Sequence, residues 1–223
     1  MRVMAIDSSS ACTGVVIAEF KDNKLIKVGS APVIPHKFDV SILGYMKTKR
    51  KYKNKDGKEY SAYTISGETN VSEALAKKRN VEVRHERNNF KIKNIGSQLN
   101  MIMKNICPDI IVIEKNKTFN SVLTSALLAE VMGLVEGVAA SNGIPLYKYT
   151  VEEVRKSINA AKLVKLFAMQ KTPEELANCK DVTKEAIQDY MMLEYSKLGF
   201  KPATLDESDA CLIFHYWYKN IFK

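Results

Sequence analysis

Two apolar runs constrain the fold of this chain more than any other feature: Val3-Met4-Ala5-Ile6 and Ile110-Ile111-Val112-Ile113. A strand with one face in water alternates apolar and polar residues, whereas an unbroken run fits a strand covered on both faces. Two such strands call for a sheet with helices on each side. Each run also ends on an acid, Asp7 and Glu114. If the strands are neighbours, both carboxylates leave the same end of the sheet.

The rest of the pattern fills in that sheet. Residues 2–7, about 13–20 and about 24–34 read as three short β-runs separated by Ser8-Ser9-Ser10 and Asp22-Asn23 turns, an antiparallel meander. Residues 72–105 permit a long helix with Ile92, Ile95, Leu99, Ile102 and Ile106 facing a core. Pro108-Asp109 resets the chain into the second apolar run. A helix over 121–142 ends at Asn142-Gly143, a C-cap pair. Residues 145–149 follow as a strand, and Thr150 with Glu153 forms a capping box for a helix over 151–158. Two more helices are expected near 183–198 and 208–222. The order is that of an α/β protein, a mixed sheet flanked by helices, in a single domain spanning residues 1–223. Two insertions interrupt it. One, at about 35–66, is rich in lysine, with a hairpin turning at Asp56-Gly57. The other, at about 159–180, is partly helical. In the 121–142 helix, Ser121, Ser125, Ala129, Gly133, Gly137 and Ser141 recur every four residues. That flat flank suits close approach by another backbone, either its own sheet or a second copy of the chain.

Composition narrows the function classes. The chain has 223 residues, 46% of them hydrophobic, enough for a sizeable core. No basic-then-apolar leader opens it, and no apolar stretch reaches the ~18 residues of a membrane span, so a cytoplasmic protein is expected. Its four cysteines lack CxxC spacing and its three histidines are far apart, which excludes a clustered zinc site. The formal net charge is +9, and the excess is local: residues 47–93 hold 14 Lys and Arg against 6 Asp and Glu. With Tyr45, Tyr52, Tyr60 and Tyr63 interleaved, that block is either a solvated surface or a phosphate-backbone contact surface.

Four carboxylates carry the chemistry. Asp7 and Glu114 end the two core runs, and Asp206 and Asp209 sit three apart before an apolar C-terminal stretch. Singly, each has a plain structural role: Asp7 as a turn residue, Asp206 as an N-cap with Asp209 near N3, and Glu114 as a surface charge. Together they can converge. Converging carboxylates repel unless a hard cation lies between them, and oxygen-only ligand sets suit Mg²⁺ or Mn²⁺. Next to a basic surface, that points to metal-dependent chemistry on a polyanion.

The ordered set Ala5-Ile6-Asp7-x5-Thr13-Gly14, then Ile111-Val112-Ile113-Glu114, then Asp206-x-x-Asp209-Ala210 resembles the RuvC Holliday junction resolvases of the RNase H-like superfamily. The resemblance covers about two-thirds of the chain and implies an RNase H-like mixed five-stranded sheet with the meander first. It also implies a homodimeric endonuclease, bacterial or of bacteriophage type, acting in a bacterial or phage-infected cell. Such an enzyme resolves four-way and other branched DNA to 5′-phosphate and 3′-hydroxyl ends. Two Mg²⁺ ions, with Mn²⁺ as substitute, would be held by Asp7, Glu114, Asp206 and Asp209. Lys184 matches the lysine near the scissile phosphate, Arg155-Lys156 a second basic position, and Lys115, Lys117 and Phe119 the loop facing the junction. Two other classes compete: an actin-like or sugar-kinase-type ATP-binding protein, suggested by the Asp7-Ser8-Ser9 turn, and a non-catalytic branched-DNA-binding module. The chain contains no second Asp-Gly-Gly loop for the former, and its intact acids argue against the latter.

Overall fold

The computed structural model describes residues 1–9, 11–115 and 122–222, apart from the side chains of residues 122–124. Five strands form the main sheet: β1 (Arg2–Asp7), β2 (Thr13–Lys21), β3 (Lys24–Val33), β6 (Ile110–Lys115) and β7 (Leu146–Thr150). Their order is β3-β2-β1-β6-β7. β1, β2 and β3 pair antiparallel, whereas β6 runs parallel to β1 in the register Val3↔Ile110 to Ile6↔Ile113, and β7 runs parallel to β6. The two unbroken apolar runs are therefore adjacent central strands. Val3 through Ile6 and Ile111 through Ile113 have no exposed surface, as double coverage requires.

Among the described residues the α-helices, in chain order, are α1 (Glu73–Ile106), α2 (Val122–Ser141), α3 (Val151–Ser157), α4 (Ala160–Met169), α5 (Pro173–Asn178), α6 (Val182–Tyr195) and α7 (Leu205–Trp217). One core joins Val3, Ala5, Val16, Ala18 and Val112 of the sheet to Ile187 and Met191 of α6 and to Ala210–Phe214 of α7. By the period-two rule, Met4, Ile6, Ile111 and Ile113 point to the opposite face. α7 is buried at nearly every position because it lies flat on the middle of the sheet. Its end is fixed by rings: Phe20 of β2 lies 6.3 Å from both Phe214 and Trp217, and 4.9 Å from Phe222.

Several expectations are met and several corrected. The Thr150–Glu153 capping box is present on α3. The expected insertion at 159–180 holds α4 and α5. The C-terminal helix starts at Leu205 rather than 208, because Thr204 caps it and Glu207 completes the box at N3. That removes the N-cap role considered for Asp206. The buried stripe of α1's second half is Ile95, Leu99 and Met103; Ile92, Ile102 and Ile106 are only half-buried. The chain divides into two compact units, Met1–Pro35 with Ile95–Lys223, and His36–Asn94. The second unit consists of the antiparallel hairpin β4 (Tyr45–Lys53) and β5 (Glu59–Ile65), with α1 up to Asn94. It has its own small core of Ala62, Val71 and Ala76, beside Tyr52. A buried Arg79 pairs with Glu68 and holds that carboxyl down at about 2. Helical periodicity alone cannot divide one continuous helix between two cores. The hairpin turns where expected: Asn54 accepts from the N–H of Asp56 and Lys58, and Gly57 takes a φ of +74°.

Candidate metal centre

Strand pairing and a missing side chain build this site. Asp7 ends β1 opposite Gly14 at the start of β2. A Cβ placed on Gly14 would fall 2.0 Å from the carbonyl oxygen of Asp206 and 2.2 Å from its carbonyl carbon. Only glycine lets the first turn of α7 rest on the sheet beside Asp7. Thr204 and Glu207 then hold that turn. Glu207, 1% exposed, accepts from the backbone N–H groups of Ala203 and Thr204 at 2.7 Å each. Sequence reasoning passed over Glu207, although its Thr-x-x-Glu spacing repeats the motif recognised at Thr150–Glu153.

With α7 so placed, Asp206 and Asp209 sit in its first turns, one turn apart on one face. One carboxylate oxygen from each of Asp7, Asp206 and Asp209 lies within 4.8 Å of the others. Asp7 and Asp209 are buried. Glu114, half-buried, follows the Ile6↔Ile113 pair by one position in β6. It stands outside that three-carboxylate cluster but is near enough to repel Asp7. Lys184, in the first turn of α6, donates from Nζ to Asp206 Oδ1 and Asp209 Oδ2, at 2.8 Å each. Asp181 caps α6 through the N–H groups of Thr183 and Lys184, which fixes where the lysine starts.

The charges are out of balance in a way that favours an added cation. Burial, and then the charges of Asp209 and Glu114, push the Asp7 carboxyl well above its usual range. Burial works against the Lys184 ammonium, but Asp209 and Asp206 outweigh it and raise its pKa. Lys184 thus bridges Asp206 and Asp209 and also acts on Asp7, against the push of its acidic neighbours. The donors are all carboxylate oxygens, the ligand type hard divalent cations take, and the cluster fits such an ion. The fold favours neutral Asp7, so its carboxyl titrates higher in the folded chain than in the unfolded one. Stability from that difference is complete below the unfolded pKa and is lost as pH rises through the folded one. In EDTA, thermal melts should therefore lose more stability between pH 5 and pH 8 in the parent protein than in Asp7→Asn. Mg²⁺ should restore the parent at pH 8. Equal pH slopes for the two proteins would refute this.

The other expected residues divide. Arg155, half-buried on α3, is near enough to Asp209 to favour its charged form, and with Lys156 it lines a cavity of about 600 Å³. Lys115 is exposed at the end of β6, paired in register with Thr150. Lys117 and Phe119 lie outside the described residues. On α2, the side-chain-poor flank does not pack on its own sheet: Ala129, Gly133, Gly137 and Ser141 are exposed, and a Cβ on either glycine would meet nothing within 4 Å among the described residues.

No protein-family model matches the chain. It is 25% identical over 95 residues to the crossover junction endodeoxyribonuclease RuvC of Pseudothermotoga lettingae, a match covering 43% of this chain and 59% of that protein. The structure of T. thermophilus RuvC in complex with a Holliday junction substrate is similar across all of this chain and 98% of the other, with a TM-score of 0.52 at 13% identity. A second Thermus thermophilus RuvC structure has a TM-score of 0.50 at 14% identity, covering 98% of this chain and 96% of the other. The resemblance read from the ordered acids is borne out, and the fold is the RNase H-like one of RuvC.

Proposed function

We propose that this RuvC-like chain is a metal-dependent endonuclease that resolves four-way and other branched DNA junctions, cutting to 5′-phosphate and 3′-hydroxyl ends. The observation that carries the proposal is the convergence of Asp7, Asp206 and Asp209 within 4.8 Å, on a fold shared with RuvC. Asp7, Glu114, Asp206 and Asp209 would hold two Mg²⁺ ions, with Mn²⁺ as a substitute. Bound there, the ions would supply a hydroxide at neutral pH and offset charge on the scissile phosphate and its leaving oxygen.

The chain's own residues do the rest. The packing of α7 on β1 buries Asp7 and Asp209, and Glu207 with Thr204 holds Asp206 and Asp209 at fixed height above Asp7. Lys184 bridges two of the acids; a phosphate oxygen brought into the site would compete for its ammonium protons and place the lysine on the substrate. Arg155, Lys156 and Lys115, with Lys117 and Phe119, would contact the DNA around the cut. A homodimer would present two such sites to the two strands of a junction. The open flank of α2 supports that assembly, since a surface of small side chains suits close packing by a second copy. No helix among the described residues is long and apolar enough to cross a membrane; a cytoplasmic site of action goes with the proposed DNA substrate.

A cleavage panel tests the reading: labelled four-way, three-way, flap and linear duplex DNA with Mg²⁺, Mn²⁺ or EDTA. Metal-dependent nicking of the four-way junction well above linear duplex is expected. Nucleotide-induced thermal stabilisation with no cleavage of any substrate would overturn it.

A further inference from the structure

The second unit contains a cavity whose chemistry the acidic site does not explain. It holds about 260 Å³ and is lined by Lys47, Ser61, Tyr63, Asn80, Arg84 and Arg87, together with Val83. The two layers meet there for geometric reasons. Lys47 and Tyr63 are direct cross-strand partners in the β4–β5 hairpin, and Ser61 is two residues from Tyr63, so all three share a face. Asn80, Arg84 and Arg87 follow one another at four and three residues along α1, a single helix stripe.

Tyr63 is the floor, 8% exposed. Arg87 donates from Nη2 to its hydroxyl at 2.8 Å, which orients the guanidinium and leaves its other N–H groups free to bind. The Lys47 ammonium stands 5.9 Å from the centre of the same ring. None of the seven lining residues is acidic. Four other basic residues of the unit have carboxylate partners: Lys53 with Glu59, Lys77 with Glu73, Lys78 with Glu82, Arg79 with Glu68. Among the described residues, no acid forms an ion pair with Lys47, Arg84 or Arg87. A second cavity of about 510 Å³ shares Lys47, Tyr63 and Arg87 and adds Lys37, Phe38, Asp39 and Val40.

We propose that Lys47, Arg84 and Arg87, over Tyr63, form a phosphate cradle that grips the sugar-phosphate backbone of DNA, making residues 36–94 a second DNA-contacting unit. Two guanidinium groups and an ammonium around a concave floor, with Ser61 and Asn80 as neutral donors, match a phosphodiester oxygen set. A merely solvated surface would scatter its charges, whereas these three line one cavity over one ring. The proposal rests on the DNA reading of the acidic site for its substrate class, but the two can fail separately.

The test uses the full chain and a labelled four-way junction in EDTA, with anisotropy titrations from 50 to 300 mM KCl. Lys47→Gln/Arg84→Gln/Arg87→Gln should weaken binding about tenfold at 100 mM and make the slope of log affinity against log salt shallower by about 1. With Mg²⁺ and saturating protein, its single-turnover cleavage should match the parent. Lys53→Gln/Lys55→Gln/Lys58→Gln, which removes equal charge from the hairpin tip, should change the slope by less than half as much. Should the cradle variant lose its fold, Arg84→Glu alone, at an exposed position, gives the same readout. An unchanged slope, or an equal loss from the tip variant, overturns the cradle. Absence of cleavage by the parent protein overturns the nuclease reading and leaves the binding comparison standing.

Discussion

Asp7→Asn should lower single-turnover junction cleavage by at least about 10³-fold, equivalent to about 4 kcal/mol of transition-state stabilisation, while leaving junction binding intact or tighter. Asparagine has nearly the same shape, so β1 and its Gly14 partner should keep their register. What changes is charge. Asp7 is buried, beside Asp209 and within electrostatic reach of Glu114, so it is central to any cation held there. Its removal leaves Asp206 and Asp209 bridged by Lys184, with one ligand oxygen and one negative charge fewer to hold a cation. The same loss of negative charge reduces repulsion of incoming phosphate, which is why affinity should hold or rise. Cleavage and anisotropy on the same preparation decide it. Binding lost in step with activity would mean that Asp7 supports the fold or the DNA surface instead of a metal.

Gly14→Ala should be more damaging than its size suggests. The added methyl would lie 2.0 Å from the Asp206 carbonyl oxygen, inside any van der Waals limit, and both neighbours are backbone. No rotamer change relieves that contact. Either β2 bends away from β1 or the first turn of α7 lifts off the sheet, taking Asp206 and Asp209 with it. Overpacking of this kind costs about 1–3 kcal/mol or more, and each kcal/mol lowers the melting temperature of a domain this size by about 2–4 °C. The melting temperature should fall by about 5–10 °C, and Mg²⁺-induced stabilisation should fall with it. The control is Gly29→Ala in β3, where a Cβ meets nothing within 4 Å and should be tolerated. A Gly14→Ala protein with parental stability and parental metal response would show that α7 is not seated as described.

Comparing the two variants shows how the site came to be readable from the chain. Asp7 and Glu114 were visible because each ends an unbroken apolar run, and such runs can only be central strands. The structure pairs the two strands in parallel, Ile6 with Ile113, which brings the acids to one end of the sheet. Asp206 and Asp209 were visible as a pair three apart, but their role was not. The Asx spacing equally suits an N-cap, and only the Thr204–Glu207 box, three residues earlier than the expected start, frees both for other work. Lys184 and Arg155 were reached through resemblance, since a lysine at a helix start carries no message of its own. The division of the chain at Asn94 carries no local signal, because α1 runs uninterrupted through it.

By itself, the amino-acid order determined the sheet, its two doubly covered strands, the hairpin at Asp56-Gly57 and the acids that end the strands. Those are local matters of periodicity, turn chemistry and burial, encoded within a few residues of each element. Tertiary structure alone decided which acids stand within 4.8 Å of each other, that one lysine is shared by two of them, and that Lys47, Arg84 and Arg87 enclose one cavity. Such distances depend on the seat of one helix against a glycine, or of a hairpin against a helix. Both are set by contacts between residues far apart in the chain, which no short window of sequence contains.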